Sequence, residues 1–260
     1  ERIAADGDKK RGNNVGFALT MLQRRLASSP EAILRSLQRR QQRLDDKLRE
    51  MQRATDTARS NTSISAHIDQ RTSGRIELDF SEAALPSLSI DDFEDLDEET
   101  TEDERARFEE QIDTVVDLAT AAQTIPELRA EIHTLESLIR SALRVRLQDV
   151  DKKWVELRTI LDEQLLTNAA SGEARKIIIF TEHRDTLDYL QTKISALLGR
   201  ANSVITIHGG TRREDRKTAR EQFTHDPDTV VMLATDAAGE GLNLQRAHLM
   251  VNYDLPWNPN

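Results

Sequence analysis

The residues best suited to contact with a polyanion lie between Thr235 and Leu244. This segment reads Thr-Asp-Ala-Ala-Gly-Glu-Gly-Leu-Asn-Leu and follows a short apolar run of the kind that forms a buried strand. Its small residues permit close approach of the backbone, and hydroxyl, carboxylate and amide groups lie between them. The spacing alone therefore indicates a loop that presents backbone amides and short side chains to a charged ligand.

Two other polar points have a similar chemistry. The turn His208-Gly209-Gly210 allows a nucleic-acid backbone to lie against it, or it is a tight turn with a solvent-facing histidine. Thr181 and Glu182 either cap the helix that follows or stand where its amide-bearing N-terminus holds a phosphate. No second histidine or acidic residue follows His208 at the spacing typical of metal ligands, so a zinc site is not predicted.

These points must be positioned by a sheet, because each follows a short apolar run. Four such runs predict strands, and amphipathic segments between them predict helices over 187–197 and from Thr211 to Phe223. A capping box of Thr211 with Glu214 is predicted to start the second of these helices. The runs cover 176–180, 203–207, 229–233 and 248–252. Alternating strands and helices predict the α/β class, with a parallel sheet and right-handed crossovers. Ligands of such sheets bind beyond the carboxyl ends of the strands, where Tyr253-Asp254 is the fourth polar point.

The first third of the chain is predicted to be helical after a loop over residues 1–14. One helix passes through residues 17–26, and Ser29-Pro30 starts another, since Ser accepts from free amides and Pro suits the first turn. One apolar stripe follows, formed by Ile33, Leu37, Leu44, Leu48 and Met51. Arg39, Arg40 and Arg43 lie beside this stripe; a solvated helix face is the favoured interpretation, and a phosphate-facing ridge is the alternative.

The middle of the chain combines acidic and helical segments. Residues 54–100 lack a sustained period, apart from a short strand predicted at 76–80, and the acidic stretch 91–104 is predicted to be flexible, or else to dock a basic partner. Capping boxes at Thr101 and Thr124 start two helices. From Leu128 to Leu165 an apolar stripe with steps of three or four predicts a helical hairpin or coiled coil, which ends near Ser171-Gly172.

Composition excludes several classes of protein. The 260 residues are 37% apolar and 32% charged, too polar to fill one thick core along the whole length. The net charge of −10 excludes a uniformly basic nucleic-acid binder but not a local basic face. The lack of cysteine excludes disulfides and thiolate sites and fits a cytoplasmic location. No stretch of about 20 apolar residues, as a bilayer crossing needs, is present.

The last third of the chain resembles the second RecA-like lobe of superfamily-two helicases and translocases. Residues 177–182 are similar to motif four, residues 234–244 to motif five, and His208-Gly209 with Arg216 and Phe223 to the segment between them. Residues 251–259 are similar to the segment that precedes motif six in the Swi/Snf branch. The form Ala-Ala-Gly-Glu-Gly-Leu-Asn within motif five is most similar to that of the bacterial members of this branch. Residues 15–30 are similar to the segment that links the two lobes in that group, and the middle helices match only as a helical insertion.

The resemblance implies a protein that uses ATP and Mg²⁺ to move along duplex DNA, with the nucleotide between two lobes. Residues 1–170 are then a helical insertion, and 171–260 are the second lobe, ending before motif six. The resemblance places Gly239, Gly241 and Asn243 on the nucleotide side. It places Thr181, His208, Gly209 and Thr235 on the nucleic-acid side, while Asp236 falls at a variable position.

The chain also departs from a complete motor of this kind. It contains no Gly-x-x-x-x-Gly-Lys-Ser/Thr phosphate loop and no Asp-Glu-x-His magnesium motif, and the resemblance puts motif six after Asn260. We therefore assign no catalytic residue and no metal site, and expect ATP and Mg²⁺ to be bound mainly by a first lobe. Both ends are expected to be cuts through a longer protein, and these 260 residues alone are predicted to be inactive.

Two other functions stay open. A non-enzymatic module, with a coiled coil on a small α/β domain, would suit the long apolar stripe and the acidic middle. A DEAD-box RNA helicase ranks lower, because that branch typically has Arg where Glu240 stands and lacks the Asp-Leu-Pro-Trp-Asn-Pro segment. The expected partner is duplex DNA, through its backbone, and no membrane is involved. The helical insertion offers a surface for a further partner, another protein.

Overall fold

The computed structural model describes residues 2–64, 86, 88, 102–148, 151–167, 175–235 and 246–254. Four helices form the first part of the described chain, which we call the helical region. They are α1 (Arg2–Ser28), α2 (Pro30–Ile64), α3 (Glu102–Leu118) and α4 (Ile125–Leu147). The remaining elements form what we call the lobe. They are α5 (Lys152–Leu161) with a π-helical turn (Asp162–Thr167), β1 (Ile177–Thr181), α6 (Arg184–Leu198), a 3₁₀ turn (Ala201–Ser203), β2 (Val204–Ile207), α7 (Arg213–His225), β3 (Val231–Thr235) and β4 (Leu249–Asn252).

The junction of α1 and α2 lies where Ser29-Pro30 predicts it. The Ser29 hydroxyl accepts a hydrogen bond from the amide of Ala32 at 3.0 Å, which satisfies one free donor of the first turn of α2. The predicted apolar stripe of α2 is buried, with Leu48 only partly covered. It packs against α4, so the amphipathic pattern is confirmed as an internal face of the helical region.

Residues 2–14 are helical, and the predicted loop there is therefore wrong. Asn14 shows how tertiary contacts override the local composition. Its side chain is buried, donates to the carbonyl of Pro86 at 3.2 Å and accepts from the amide of Leu88 at 3.4 Å. Because Asn14 bonds to a distant segment, it does not compete for the helical backbone, which is the usual reason for its poor helix propensity.

Helix α4 starts at the capping box that the sequence predicts. Thr124 accepts from the amide of Glu127, and the carboxylate of Glu127 accepts from the amide of Thr124 at 3.2 Å. The long stripe that follows is not one helix, because α4 ends at Leu147 and Asp151 caps α5 through the amide of Trp154 at 3.2 Å. The stripe is therefore divided, and its first half packs on α2 while Trp154, Leu157 and Leu161 pack on the sheet.

The predicted parallel sheet is confirmed in the described chain. Its four strands have the order β2-β3-β1-β4, and every pairing is parallel. The inner strands β1 and β3 are buried on both faces, as their continuous apolar runs predict. One face of the sheet packs on α5 and α6, and the other packs on Phe223 of α7. This arrangement confirms the α/β class and places an all-helical region before the sheet.

Several expectations fall outside the described residues. They are the strand at 76–80, residues 91–101 of the acidic segment, the cap at Thr101 and the helix end near Ser171-Gly172. The last three residues of the acidic segment, 102–104, are helical, so the predicted flexibility is wrong for them. The boundary at 170/171 also falls there and stays a prediction. Within the described residues, no helix combines the length and apolar character that a membrane crossing needs.

Candidate polar site at the carboxyl edge of the sheet

The polar points of the sequence meet at one edge of the sheet because its strands are parallel. Thr181 is the register partner of Thr235, Ile207 pairs with Ala234, and Phe180 pairs with Asn252. The four strands therefore end side by side, and the residues that follow them occupy the same edge. Thr181, His208, Gly209 and Thr235 are brought to this edge, as the sequence predicts.

Arg216 holds the turn at His208-Gly209-Gly210. This side chain is 3% exposed, and its guanidinium donates to the carbonyls of Thr211 at 2.9 Å, Gly209 at 2.9 Å and His208 at 3.3 Å. Five fixed N–H donors on one planar group make this multiple contact possible. The sequence marks Arg216 only as part of a motif, and the structure shows that it fixes the backbone of the turn.

Thr211 also stabilises the turn instead of capping α7. Its hydroxyl accepts from the amide of His208 at 3.0 Å, and its own amide donates to the carbonyl of His208 at 2.9 Å. Helix α7 starts at Arg213 after Arg212, without a side-chain cap. The predicted capping box of Thr211 with Glu214 is therefore wrong, because the hydroxyl is already used within the turn.

The structure defines the protonation of His208. Its Nδ1 accepts from the amide of Gly210 at 3.1 Å, so the neutral ring carries its proton on Nε2. Burial, and then the positive charge of Arg184, lower the pKa of His208. The half-buried imidazole is thus a neutral donor at the edge of the sheet.

Asp254 collects hydrogen bonds from three elements. Its Oδ2 accepts from the hydroxyl of Thr181 at 2.6 Å, the amide of Glu182 at 3.1 Å and the hydroxyl of Ser28 at 2.8 Å. Its Oδ1 accepts from the ammonium of Lys153 at 2.6 Å. Burial acts to raise the pKa of Asp254, but the hydrogen bonds from Lys153 and Thr181 outweigh it and hold the pKa below its usual value.

Thr181 and Glu182 do not cap α6. The N-cap is His183, which makes no side-chain capping bond, while Thr181 donates to Asp254 and Glu182 forms a two-point ion pair with Arg24. Burial raises the pKa of Glu182, and the bond from Arg24 opposes this rise. Both side chains therefore link this edge of the sheet to its surroundings, which is a role that spacing alone does not indicate.

The remaining predicted site residues differ in accessibility. Thr181 and Thr235 are 0% and 1% exposed, so neither hydroxyl reaches the surface of the described structure, and Gly209 is buried beside the exposed Gly210. The hydroxyl of Thr235 has no hydrogen-bond partner among the described residues. Gly239, Gly241 and Asn243 lie outside those residues.

The arginines beside the apolar stripe of α2 differ in burial. Arg40 is 6% exposed and donates to the carbonyl of Val116 at 2.6 Å and to the carboxylate of Glu131 at 2.7 Å. Arg39 donates to Asp185 of α6 at 2.9 Å, and Arg43 is exposed. The favoured solvated face is therefore wrong for Arg40, since periodicity does not show which partners a helix will meet. Arg39, which is 37% exposed, combines contact with solvent and an ion pair.

The described residues do not form a site for a divalent cation. No group of three or more His, Asp or Glu side chains there has the arrangement that a metal ion needs. The four hydrogen bonds received by Asp254 leave its carboxylate committed to protein donors. The described residues of this edge therefore do not fit Mg²⁺.

Comparison with known proteins finds similarity over the lobe. Residues 156–260 match the helicase conserved C-terminal domain. An uncharacterized ATP-dependent helicase YqhH of Bacillus subtilis is 42% identical over 84 residues, which are 32% of this chain and 14% of that protein. A pre-mRNA-processing ATP-dependent RNA helicase PRP5 of Meyerozyma guilliermondii is 35% identical over 105 residues, 40% of this chain and 11% of that protein. The helicase SWR1 of Eremothecium gossypii is 26% identical over 150 residues, 55% of this chain and 10% of that protein.

These matches identify a helicase C-terminal domain within the chain. The parallel sheet with helices on both faces agrees with the RecA-like lobe that such a domain forms. The matched part of the chain spans only 10% to 14% of these three relatives. Because both a Swi/Snf-like helicase and an RNA helicase are among them, the comparisons do not separate a DNA motor from an RNA motor.

Proposed function

We propose that this chain is part of a Swi/Snf-type translocase that couples ATP hydrolysis to movement on duplex DNA or to remodelling of protein–DNA complexes. In this proposal residues 171–260 act as the second RecA-like lobe and residues 1–170 as a helical insertion. The observation that carries the proposal is the rigid turn at His208-Gly209-Gly210, held by Arg216 at the carboxyl edge of a helicase C-terminal domain. Rigid loops at this edge are where α/β proteins of this kind bind their ligands.

The turn has the donors that a phosphate backbone requires. The neutral ring of His208 has an Nε2–H group, and the uncapped N-terminus of α7 follows directly with the exposed Arg212 and Arg213. Backbone amides at a helix N-terminus and arginine side chains both favour phosphate. In the proposal these groups and Gly209 contact the nucleic acid, while Thr181 and Thr235, which are buried, position the strand ends beneath it.

In the proposal, residues other than those of the turn face the nucleotide. We infer from the sequence resemblance that Gly239, Gly241 and Asn243 lie near the nucleotide. ATP would supply the phosphoryl group, and Mg²⁺ would be held mainly by a first lobe. These 260 residues by themselves are therefore expected neither to hydrolyse ATP nor to translocate, and DNA-stimulated hydrolysis by the purified chain would contradict that expectation.

An RNA helicase is the second candidate. The 35% identity to a pre-mRNA-processing RNA helicase favours it. The same turn would then contact an RNA backbone, because phosphate contacts position a nucleic acid without identifying it. The non-enzymatic interaction module is the third candidate, and it predicts no nucleic-acid-dependent hydrolysis at all.

The experiment that separates these functions uses the full-length protein. ATP hydrolysis is measured with duplex DNA, single-stranded DNA and single-stranded RNA at several salt concentrations. The translocase predicts stimulation by duplex DNA, with an affinity that falls steeply as salt rises. Preferential stimulation by RNA would support the RNA helicase, and hydrolysis unaffected by any nucleic acid would exclude both motors. The variant His208→Ala, with Lys217→Ala as an exposed control on α7, tests whether the turn contributes to binding.

A further inference from the structure

The helical region and the lobe have separate apolar cores. In the described chain, the buried apolar clusters of the helical region draw their members from residues 15–143, and those of the lobe from residues 154–253. No such cluster among the described residues contains members from both parts. Each part therefore buries its apolar side chains without the help of the other, which is the usual mark of units that hold their own fold.

Polar groups join the two parts instead. Arg24 of α1 pairs with Glu182 at 2.6 Å, and Arg39 of α2 pairs with Asp185 at 2.9 Å. Between these two pairs, the hydroxyls of Ser28 and Ser29 lie 2.7 Å and 2.8 Å from the hydroxyl of Thr186. Lys153 of the lobe donates to the carbonyls of Ala27 and Ser28 at 3.2 Å and 3.1 Å. We call this set of contacts the latch.

The boundary is also incompletely packed beside the latch. A cavity of about 330 Å³ lies between α2, α4 and α6. Its walls include Glu31, Arg35 and Arg146 from the helical region and Asp151, Tyr189 and Lys193 from the lobe. A cavity lined by charged groups on both sides can fill with water, so it adds little cohesion to the boundary.

We propose that the latch is a reversible joint, at which the helical region detaches from the lobe and docks again while both cores stay folded. Such opening exposes charged and hydroxyl groups that water can solvate, and it exposes little apolar surface. Hydrogen bonds and ion pairs exchanged for water contribute little net stability, whereas opening either core would expose buried aliphatic side chains. The latch can therefore open while both apolar cores stay folded.

Asp254 keeps a charged partner when the helical region is detached from the lobe. When the helical region leaves, Asp254 loses the hydroxyl of Ser28 but keeps Lys153, Thr181 and the amide of Glu182, all of which belong to the lobe. The buried carboxylate is thus never left without a charged partner. The same residue connects the latch to the end of β1, so the docked state is transmitted to the carboxyl edge of the sheet.

Hydrogen exchange on the 260-residue chain tests this inference without reference to any activity. The variant Arg39→Ala removes a latch pair. Arg49→Ala is its matched control, since Arg49 lies on the same helix and its ion pair is with the nearby exposed Asp46. We expect exchange at residues 24–30 and 184–188 to rise about tenfold in Arg39→Ala, with strands β1 and β3 unchanged. Arg49→Ala should match the unchanged chain.

Salt gives a second measurement that needs no variant. Raising NaCl from about 0.05 M to about 0.5 M shortens the range of charge interactions and should accelerate exchange at the latch alone. Exchange that rises equally at the latch and in strands β1 and β3 would show one cooperative body and overturn the proposal. So would latch exchange that responds neither to Arg39→Ala nor to salt.

Discussion

Arg24 and Glu182, which are 158 positions apart, form a two-point ion pair with Nε–Oε1 and Nη2–Oε2 distances of 2.9 Å and 2.6 Å. Their side chains are only 14% and 15% exposed. The parallel geometry matches the planar fork of arginine to the planar carboxylate, which is the strongest arrangement for such a pair. This contact fixes the end of α1 against the residue that follows β1.

Loss of Arg24 should therefore destabilise the chain in a pH-dependent way. Arg24→Ala leaves the carboxylate of Glu182 buried without its partner, and we expect a loss of about 3 kcal/mol in the free energy of unfolding at pH 7. Burial already raises the pKa of Glu182, and removing the arginine raises it further. The loss should shrink as the pH falls towards 5, because protonation removes the unpaired charge. Urea unfolding at both pH values checks this, and an equal loss at both would contradict it.

The ionised carboxylate of Asp117 should make the chain less stable at neutral pH than at acidic pH. Burial raises its pKa from 3.8 to about 6, only partly opposed by Arg39, whose Nε lies 3.8 Å away. Because the folded pKa exceeds the unfolded one, this group favours folding fully below pH 4, and the contribution is lost as the pH rises through 6. Asp117→Asn should therefore raise the free energy of unfolding, relative to the unchanged chain, by about 1 kcal/mol more at pH 7 than at pH 4. Thermal unfolding across that range measures it, and parallel profiles for the two proteins would refute it.

Arg216 should be required for the shape of the His208-Gly209-Gly210 turn. Arg216→Lys keeps the charge but cannot donate to three carbonyls in fixed directions. We therefore expect the free energy of unfolding to fall by about 2 kcal/mol. Amide exchange at residues 208–212 should rise. Lys217→Ala, at an exposed neighbour, should leave both quantities unchanged. Equal behaviour of the two variants would show that the turn does not depend on Arg216.

Arg40 and Arg43 should respond differently to charge reversal. Arg40→Glu places a carboxylate among backbone carbonyls and beside Glu131, and we expect it to destabilise the chain by about 3 kcal/mol or more. Arg43→Glu, at an exposed position, should leave stability within about 0.5 kcal/mol. If Arg43 contacts phosphate in the full-length protein, the reversal also lowers DNA affinity and its salt dependence. Unchanged DNA binding would leave Arg43 a solvated residue.

The sequence predicts those features that depend on local periodicity and capping. The four strands, the junction at Ser29-Pro30 and the box at Thr124 were all predictable for this reason. The carboxyl edge followed from the parallel order, which alternating strands and helices imply. The capping box predicted at Thr211 is wrong, but it lies only two residues before Arg213, where α7 starts.

The sequence does not predict contacts between distant segments. The pairing of Arg24 with Glu182 and the burial of Arg40 depend on which helix faces meet, and an arginine beside an apolar stripe looks the same in either case. The apolar stripe from Leu128 to Leu165 continues past the break between α4 and α5, because both cores need the same spacing of aliphatic residues. The spacing of apolar residues therefore predicts which side chains are buried, but not the element on which they pack.

The hydrogen bond from Ser28 to Asp254 joins residues 226 positions apart, and this separation sets an order for biosynthesis. A ribosome has released the whole apolar core of the helical region once residue 143 has emerged, but Asp254 is still to be made. At roughly 5 to 20 residues per second, the intervening stretch takes about 5 to 20 s to translate. During that interval the hydroxyl of Ser28 lacks the carboxylate of Asp254, and water solvates it on the nascent chain until that partner is made.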